Sequence, residues 1–347
     1  MSRTDAADRD DRADRADGTG ATGRAARVRD LMDRIGGPVA VVGSANADLT
    51  VRVRALPGPG ETVTGGPLEV LPGGKSANQS AAGARLGADV AFIGCVGRDA
   101  NAGVLRDALT DAGVDLSGME EADVATGTAM ITVDDDAENC IVISAGANGE
   151  VTPELVRRHR GAIESARALG LCLEISLDAV TEAARIAHDA GARVVFNLSP
   201  VGDAPAELLG LVDVLIVNEH ELAHLVGTAA VDAGREGDWT AASAELAGRY
   251  GIPHAVVTLG GAGSTVIGAE GAHAVAAWDA DVVDTTGCGD AYMGTLLAGL
   301  ASGLTLTESA ELASAVSAYA ATGAGAQASY GTAGDIVAWA AAAGAGG

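Results

Sequence analysis

Short, fully apolar runs that end in glycine and alternate with helical periods constrain this chain more than any other feature. Val39-Ala40-Val41-Val42-Gly43 and Val90-Ala91-Phe92-Ile93-Gly94 are two of them, and further runs fall at 169–175, 193–197, 213–217 and 255–259. A strand that is apolar on both faces must be covered on both, and helices between such strands supply the cover through parallel crossovers. The spacing predicts helices over 75–86, 101–112, 288–302, 307–321 and 335–342. The expected fold class is therefore α/β, a central, mostly parallel sheet flanked by helices. Residues 49–71 and 126–143 break that rhythm. Leu49-Thr50-Val51-Arg52-Val53, Thr62-Val63-Thr64, Leu68-Glu69-Val70, Thr128–Val133 and Cys140–Ile143 alternate apolar with polar or stand as half-buried runs. They predict a small β-sheet lid, from about 46–71 and 126–143, with one face that no helix covers.

Aromatic residues are only 3% of the chain, so alanine, valine and leucine must fill the core. Asp plus Glu number 47 against 22 Lys plus Arg, a net charge of −25. That balance leaves no basic footprint for nucleic acid and opposes docking on an anionic membrane. Residues 1–36 hold eight acids and eight arginines, which predicts a neutral, solvated, disordered tail ahead of a single domain over 37–342 and a frayed end at 343–347. Cys95, Cys140, Cys172 and Cys288 are widely spread, which argues against zinc or a disulfide framework and for buried free thiols in a reducing cytoplasm. The start of the chain lacks the apolar core of a secretory signal, and no apolar run reaches membrane-spanning length.

Five polar stretches carry the chemistry. Asp284-Thr285-Thr286-Gly287-Cys288-Gly289-Asp290 joins a strand-like run, Asp281-Val282-Val283, to a long apolar helix. A glycine-rich turn entering a helix aims several backbone N–H groups at one point, an anion hole that needs no basic side chain. Asp290 in the first turn could then take a proton from a hydroxyl facing a bound phosphate, although the same residues would also serve as a plain turn and cap. Gly73-Gly74-Lys75-Ser76-Ala77-Asn78-Gln79 starts a helix with the only lysine of the chain, three residues before Asn78, so both can reach one small polar ligand. It lacks the spacing of a Walker A loop. Asn46 and Asp48 follow the first strand, at the carboxyl edge where open α/β sheets bind ligands; they suit sugar hydroxyls or a turn. Asn218 and Glu221 follow Val214–Val217 and suit water-mediated Mg²⁺ or a helix cap. Thr258-Leu259-Gly260-Gly261-Ala262-Gly263 suits nucleotide phosphates or ribose, or a plain hairpin.

Together these stretches resemble the ribokinase-like (PfkB) family of carbohydrate kinases, over about residues 38–335. Gly73–Gln79 is similar to the family's N-terminal signature and Asp284–Asp290 to its C-terminal one. Pro59-Gly60-Glu61-Thr62-Val63-Thr64-Gly65 and Ser144-Ala145-Gly146-Ala147-Asn148 look like the lid segment and the Ala-Gly-Ala-Asn stretch of the members that act on ribose. The resemblance implies ATP-dependent phosphorylation of D-ribose at O5. A kinase for another sugar or a nucleoside (fructose, deoxyribose, adenosine) is the alternative within the family, and a non-catalytic sugar or nucleotide sensor the alternative outside it.

By the same resemblance Asp290 is the base, with Gly287, Cys288 and Gly289 as the anion hole. Asn46, Asp48, Gly74, Lys75, Asn78, Glu174 and Asp284 would bind the sugar, with Glu174 ending the strand that starts at 169. Asn218, Glu221, Thr258, Gly260, Gly263, Gly289 and Ser314 would serve ATP and Mg²⁺. Asp284, Thr286, Ala320, Gly323, Gly325 and Ser329 would hold K⁺. A homodimer through the lid is implied as well. The chain departs from the family pattern at Ser76, where glycine is usual; at Leu198-Ser199-Pro200 after Asn197; at Gly323 beside the cation; at Ser314, often His or Asn near adenine; and at Ala328, usually Pro.

Overall fold

Small aliphatic side chains alternate across the two faces of each central strand, and that alternation decides the layering. β1 (Pro38–Val42) sends Val39 and Val41 into one core and Ala40 and Val42 into the other. β4 (Asp89–Val96) does the same with Phe92 and Ile93. The computed structural model describes residues 21–136 and 138–345. The remaining central strands are β5 (Asp115–Glu121), β8 (Ala168–Leu171), β9 (Arg193–Asn197), β10 (Val214–Asn218), β11 (His254–Thr258), β12 (Ser264–Gly268) and β13 (Gly271–Val275). They form one nine-stranded sheet in the order β13-β12-β11-β10-β9-β8-β1-β4-β5. Seven of these strands, β11 through β5 in that order, pair in parallel, and the β11-β12-β13 edge is antiparallel. This is the expected α/β sheet with helices on both faces.

β2 (Asn46–Arg52), β3 (Glu69–Gly73), β6 (Gly127–Val133) and β7 (Asn139–Ser144) make a separate four-stranded sheet in the order β3-β2-β6-β7. This is the lid that the alternating stretches called for, although β2 and β6 pair in parallel. Thr62–Thr64 form no strand: Pro57, Pro59 and Pro67 bracket them and remove the donors a ladder needs. Ile141, Val142 and Ile143 on β7 are each half exposed, between 50 and 54%.

Four further expectations are corrected. Residues 21–36 are not a disordered tail, because Ala21–Met32 is a helix that buries Val28, Leu31 and Met32 in the main core; residues 1–20 lie outside the described residues. The C-terminal helix runs over Ala333–Ala345, so 343–345 continue it. Asp281–Val283 is not a strand. Val282 and Val283 are 63% and 65% exposed, and the N–H groups of Val283 and Asp284 both donate to the Ala321 carbonyl at a helix end rather than to a sheet. Of the four cysteines, all free, Cys95 and Cys172 are buried as expected, but Cys140 is exposed and Cys288 half-buried.

The site is positioned by a helix crossing. The helices Lys75–Arg85 and Cys288–Ala301 meet at Gly83 and Gly294. A Cβ on Gly294 would run into the Gln79 carbonyl and stand 3.0 Å from the Gly83 nitrogen, so the two backbones touch. Gly294→Ala should therefore lower stability by about 1–3 kcal/mol through overpacking. Gly103→Ala, at an open helical position with no neighbour within 4 Å, should be neutral or slightly stabilising. Denaturant unfolding of the two variants checks the contrast.

Candidate active site

Because those helices touch, residues near the start of one meet the first turn of the other. The Asn78 amide donates to Asp290 Oδ2 at 3.0 Å and the Gln79 amide to Asp290 Oδ1 at 3.2 Å. The Gln327 amide donates to Asn78 Oδ1 at 3.0 Å and steadies the first of these donors. Asp290 is thus held by both oxygens at the head of the helix. Burial raises its pKa, against the pull of the Lys75 ammonium and the two amides, while the Glu174 charge adds to the rise. A carboxylate with a raised pKa and a fixed orientation is suited to accepting a proton.

Of the residues expected on the sugar side, Lys75 and Glu174 act on the charge of Asp290, and Asp290 acts on that of Asp48. Glu174 lies in a bend beyond the end of β8, not within the strand as expected; its Oε2 accepts from the Ser44 hydroxyl at 2.5 Å and from the Lys75 N–H at 3.1 Å. Asn46 opens β2, and its Oδ1 accepts from Asn148 Nδ2 at 2.7 Å, while Asn148 Oδ1 accepts from the Ala45 N–H at 2.9 Å. Gly74 precedes Lys75 as the helix cap. Burial, reinforced by the charges of Glu174 and Asp290, pushes Asp48 up to about 7. Burial also pulls at Lys75, but Asp290 and Glu174 more than offset it and its pKa ends up raised. The pocket therefore sets Asp290 and Glu174 about the one ammonium, with Asp48 in the field of both carboxylates.

Gly287 takes φ +77°, and a Cβ there would stand 2.6 Å from both Ala326 Cβ and the Tyr330 hydroxyl oxygen, so only glycine fits. Tyr330 donates to the Gly287 carbonyl at 2.8 Å and locks the turn. The Cys288 N–H closes this turn on the Thr285 carbonyl at 3.2 Å. The N–H groups of Gly287, Gly289 and Asp290 have no acceptor among the described residues, and these are the donors left for an anion. Burial pushes the Cys288 thiol up to about 11, so it stays neutral, and with its N–H spent on Thr285, Cys288 is not one of the free donors as expected; the Asp290 N–H is free in its place.

Asp284 stands at the start of the turn. Its Oδ1 accepts from the Thr286 N–H and its Oδ2 from the Gly325 N–H, both at 2.9 Å. Its burial acts to raise the pKa, but these two donors win and hold it below the usual value. Ala320 and Gly323 are joined by a backbone bond of 3.2 Å, and the Ser329 hydroxyl donates to the Ala326 carbonyl at 2.9 Å. The six residues expected around a cation thus lie on one turn and the segment 320–329 behind it. Their donors are all oxygens, a set that fits a hard monovalent ion.

On the other side of the turn a cleft of about 430 Å³ is lined by Thr258, Gly260, Gly263, Trp278, Gly289 and Ser314, among others. Ser314 spends its hydroxyl on the Ala276 carbonyl at 3.0 Å. Asn218 pairs with Thr258 across β10 and β11, so both stand at the same sheet edge. Asn218 and Glu221 form a capping box: Asn218 Oδ1 accepts from the Glu221 N–H at 2.9 Å, and Glu221 Oε2 accepts from the Asn218 N–H at 2.8 Å.

A family model, the pfkB family of carbohydrate kinases, matches residues 38–333. The chain belongs to this family. It is 34% identical over 295 residues to the ribokinase of Haemophilus influenzae, covering 85% of this chain and 95% of that protein. It is 37% identical over 289 residues to the ribokinase of Schizosaccharomyces pombe, covering 81% and 90%. The structure of Arabidopsis thaliana ribokinase complexed with ribose and ATP matches with a TM-score of 0.80 at 29% identity, over 88% of this chain and 99% of that one. The family's kinase fold is thus present along the whole matched region, and both of its signatures converge on Asp290.

Sequence reading passed over Ser44, Gln79, Asn148, Gln327, Trp278 and Tyr330 as individual site residues. Gln79 and Asn148 stand inside two of the stretches quoted above, and the signal is an amide in a run of small residues. Trp278 and Tyr330 gave none, since they act through neighbours distant in sequence. The raised Asp48 yields a test. The folded protein keeps a proton there up to about pH 7, whereas an ordinary carboxyl loses it near 3.8. Stability therefore falls as pH rises through that window. Asp48→Asn, which has no proton to lose, should unfold at a higher temperature than the unsubstituted protein at pH 8 without ligand. The gap should shrink toward pH 4, as read by thermal unfolding at both values.

Proposed function

We propose that this kinase transfers the γ-phosphoryl group of ATP to O5 of D-ribose, giving ribose 5-phosphate and ADP. The observation that carries the reading is the Asp290 carboxylate, held by Asn78 and Gln79 beside three unspent N–H groups at one helix start. The polar ring of Asn46, Asp48, Lys75 and Glu174 suits a small polyol better than an apolar base, and the relatives named ribokinase point the same way. The ribose hydroxyl lies against Asp290, which takes its proton as the oxygen attacks. The N–H groups of Gly287, Gly289 and Asp290 receive the transferring phosphoryl group, whose charge they stabilise without a basic side chain. ATP occupies the cleft between Thr258–Gly263 and Ser314.

Mg²⁺ would supply charge neutralisation on the ATP phosphates. Glu221, which spends only one oxygen on its cap, and Asn218 would hold it through water. K⁺ would fit the oxygen set of Asp284, Thr286, Ala320, Gly323, Gly325 and Ser329 and steady the turn. The protein works in the cytoplasm, where free thiols persist; no helix among the described residues is long and apolar enough to cross a membrane. The exposed apolar strand β7 suits a second copy, giving a homodimer through the lid. Sedimentation at micromolar concentration should find a dimer, and a monomer there would remove this part of the reading.

A panel of pentoses, hexoses and nucleosides assayed with ATP and Mg²⁺ should show D-ribose as the preferred acceptor; faster turnover of a hexose or nucleoside would overturn the assignment. Asp290→Asn should lower the rate by about 10²–10⁴-fold while ATP still binds. With ionic strength held constant, K⁺ should support faster turnover than Li⁺, and equal rates would eliminate the cation site.

A further inference from the structure

The helix Ala21–Met32 lies outside the matched family region, which begins at residue 38. It nevertheless holds a wall of the nucleotide cleft by hydrogen bonds from one side chain. Arg24 Nη1 donates to the Ala277 carbonyl at 3.1 Å and Nη2 to the Ala276 carbonyl at 3.0 Å, two successive carbonyls held by one guanidinium. The same guanidinium lies over the Trp278 ring, 4.4 Å from its centroid. Behind Trp278 stands Trp339 of the C-terminal helix, with ring centroids 5.6 Å apart.

The segment that Arg24 grips is a wall of the cleft. Ala277, Trp278, Asp279 and Ala280 line it, yet among the described residues no backbone-to-backbone hydrogen bond holds 276–282. The segment is fixed by side chains instead: Ser314 donates to the Ala276 carbonyl from the cleft side, and Arg24 from behind. A wall without its own ladder must be ordered either beforehand or by the ligand, and ordering on binding costs affinity. Arg24 also sits near the Glu311 carboxylate, while Arg27 on the same helix pairs with Glu308 and Glu311 and makes no hydrogen bond to the wall among the described residues.

We infer that Arg24 is a positioning residue for the nucleotide, an element added ahead of the family domain that preorders the 276–280 wall so that ATP meets a finished cleft. This rests on ATP occupying that cleft. The sugar pocket lies across the turn at Gly287–Asp290, so the effect is confined to nucleotide binding. Arg24→Ala should raise the KM for ATP by about three- to tenfold, the scale of ordering a few side chains on binding. kcat and the KM for ribose should stay within about twofold, the scatter expected when the phosphoryl-transfer groups are untouched. Arg24→Lys, which keeps the charge but loses the two-pronged grip, should fall between. Arg27→Ala loosens the helix without removing a hydrogen bond to the wall, and it should leave the KM for ATP unchanged.

Calorimetry of ADP on the full chain, with unfolding midpoints taken alongside, reads the same quantity without turnover and serves if Arg24→Ala is too unstable to assay and only Arg24→Lys is available. Unchanged ADP affinity in the Arg24 variants, or equal losses in Arg24→Ala and Arg27→Ala, would overturn the inference while the nucleotide reading stands. Failure of the unsubstituted protein to bind ADP would overturn both.

Discussion

Two helices from opposite ends of the family domain touch backbone to backbone at Gly83 and Gly294, and the site exists because of that contact. Side chains larger than hydrogen at the crossing would separate the helices, and the amides of Asn78 and Gln79 would no longer reach both oxygens of Asp290. The rest of the site is hung from this pair. Lys75 begins one helix and is within the field of Asp290 and Glu174, and Gly287, Gly289 and Asp290 at the start of the other present the free N–H groups. A core so poor in aromatic residues suits such a contact, since alanine and glycine let helices approach closely.

The charges show how an acidic protein can handle an anionic reactant. One lysine faces Asp290 and Glu174, with Asp48 in the field of both, so the pocket holds more carboxyl groups than ammonium groups, and burial raises the pKa of both aspartates. Perturbations of that kind accumulate where chemistry needs them. The anion hole is built from backbone donors alone, and Asp284, at the start of the turn, is pulled the opposite way by two N–H groups. Carboxylates a few residues apart in sequence thus acquire opposite tendencies from what faces them.

Several elements were legible because their signal is local. The central strands and the helices at 75, 101, 288 and 307 follow from apolar period and glycine stops, and the two signatures follow from short motifs. The elements that were misjudged depend on partners. Ala21–Met32 read as solvated because of its charges, although Ala25, Val28, Leu31, Met32 and Ile35 form a stripe at helical spacing that finds the main core. Val282 and Val283 looked like a strand, but no neighbouring strand offers them a ladder. The Asn218–Glu221 pair carried both a cap and a ligand reading, and the capping bonds occupy only part of its donors and acceptors.

By itself the sequence determined the α/β class, the separate β lid, the turn before Asp290 and the family to which the chain belongs, because periodicity, glycine placement and contiguous motifs are written along the chain. Tertiary structure alone decided which amides hold the base, which N–H groups remain free, that Asp48 sits near pH 7, and that Arg24 closes over the wall of the cleft. Each of these depends on groups far apart in sequence and on the water that packing removes. Distance and desolvation have no trace in local pattern, and so they emerge only when the helices and sheet are assembled.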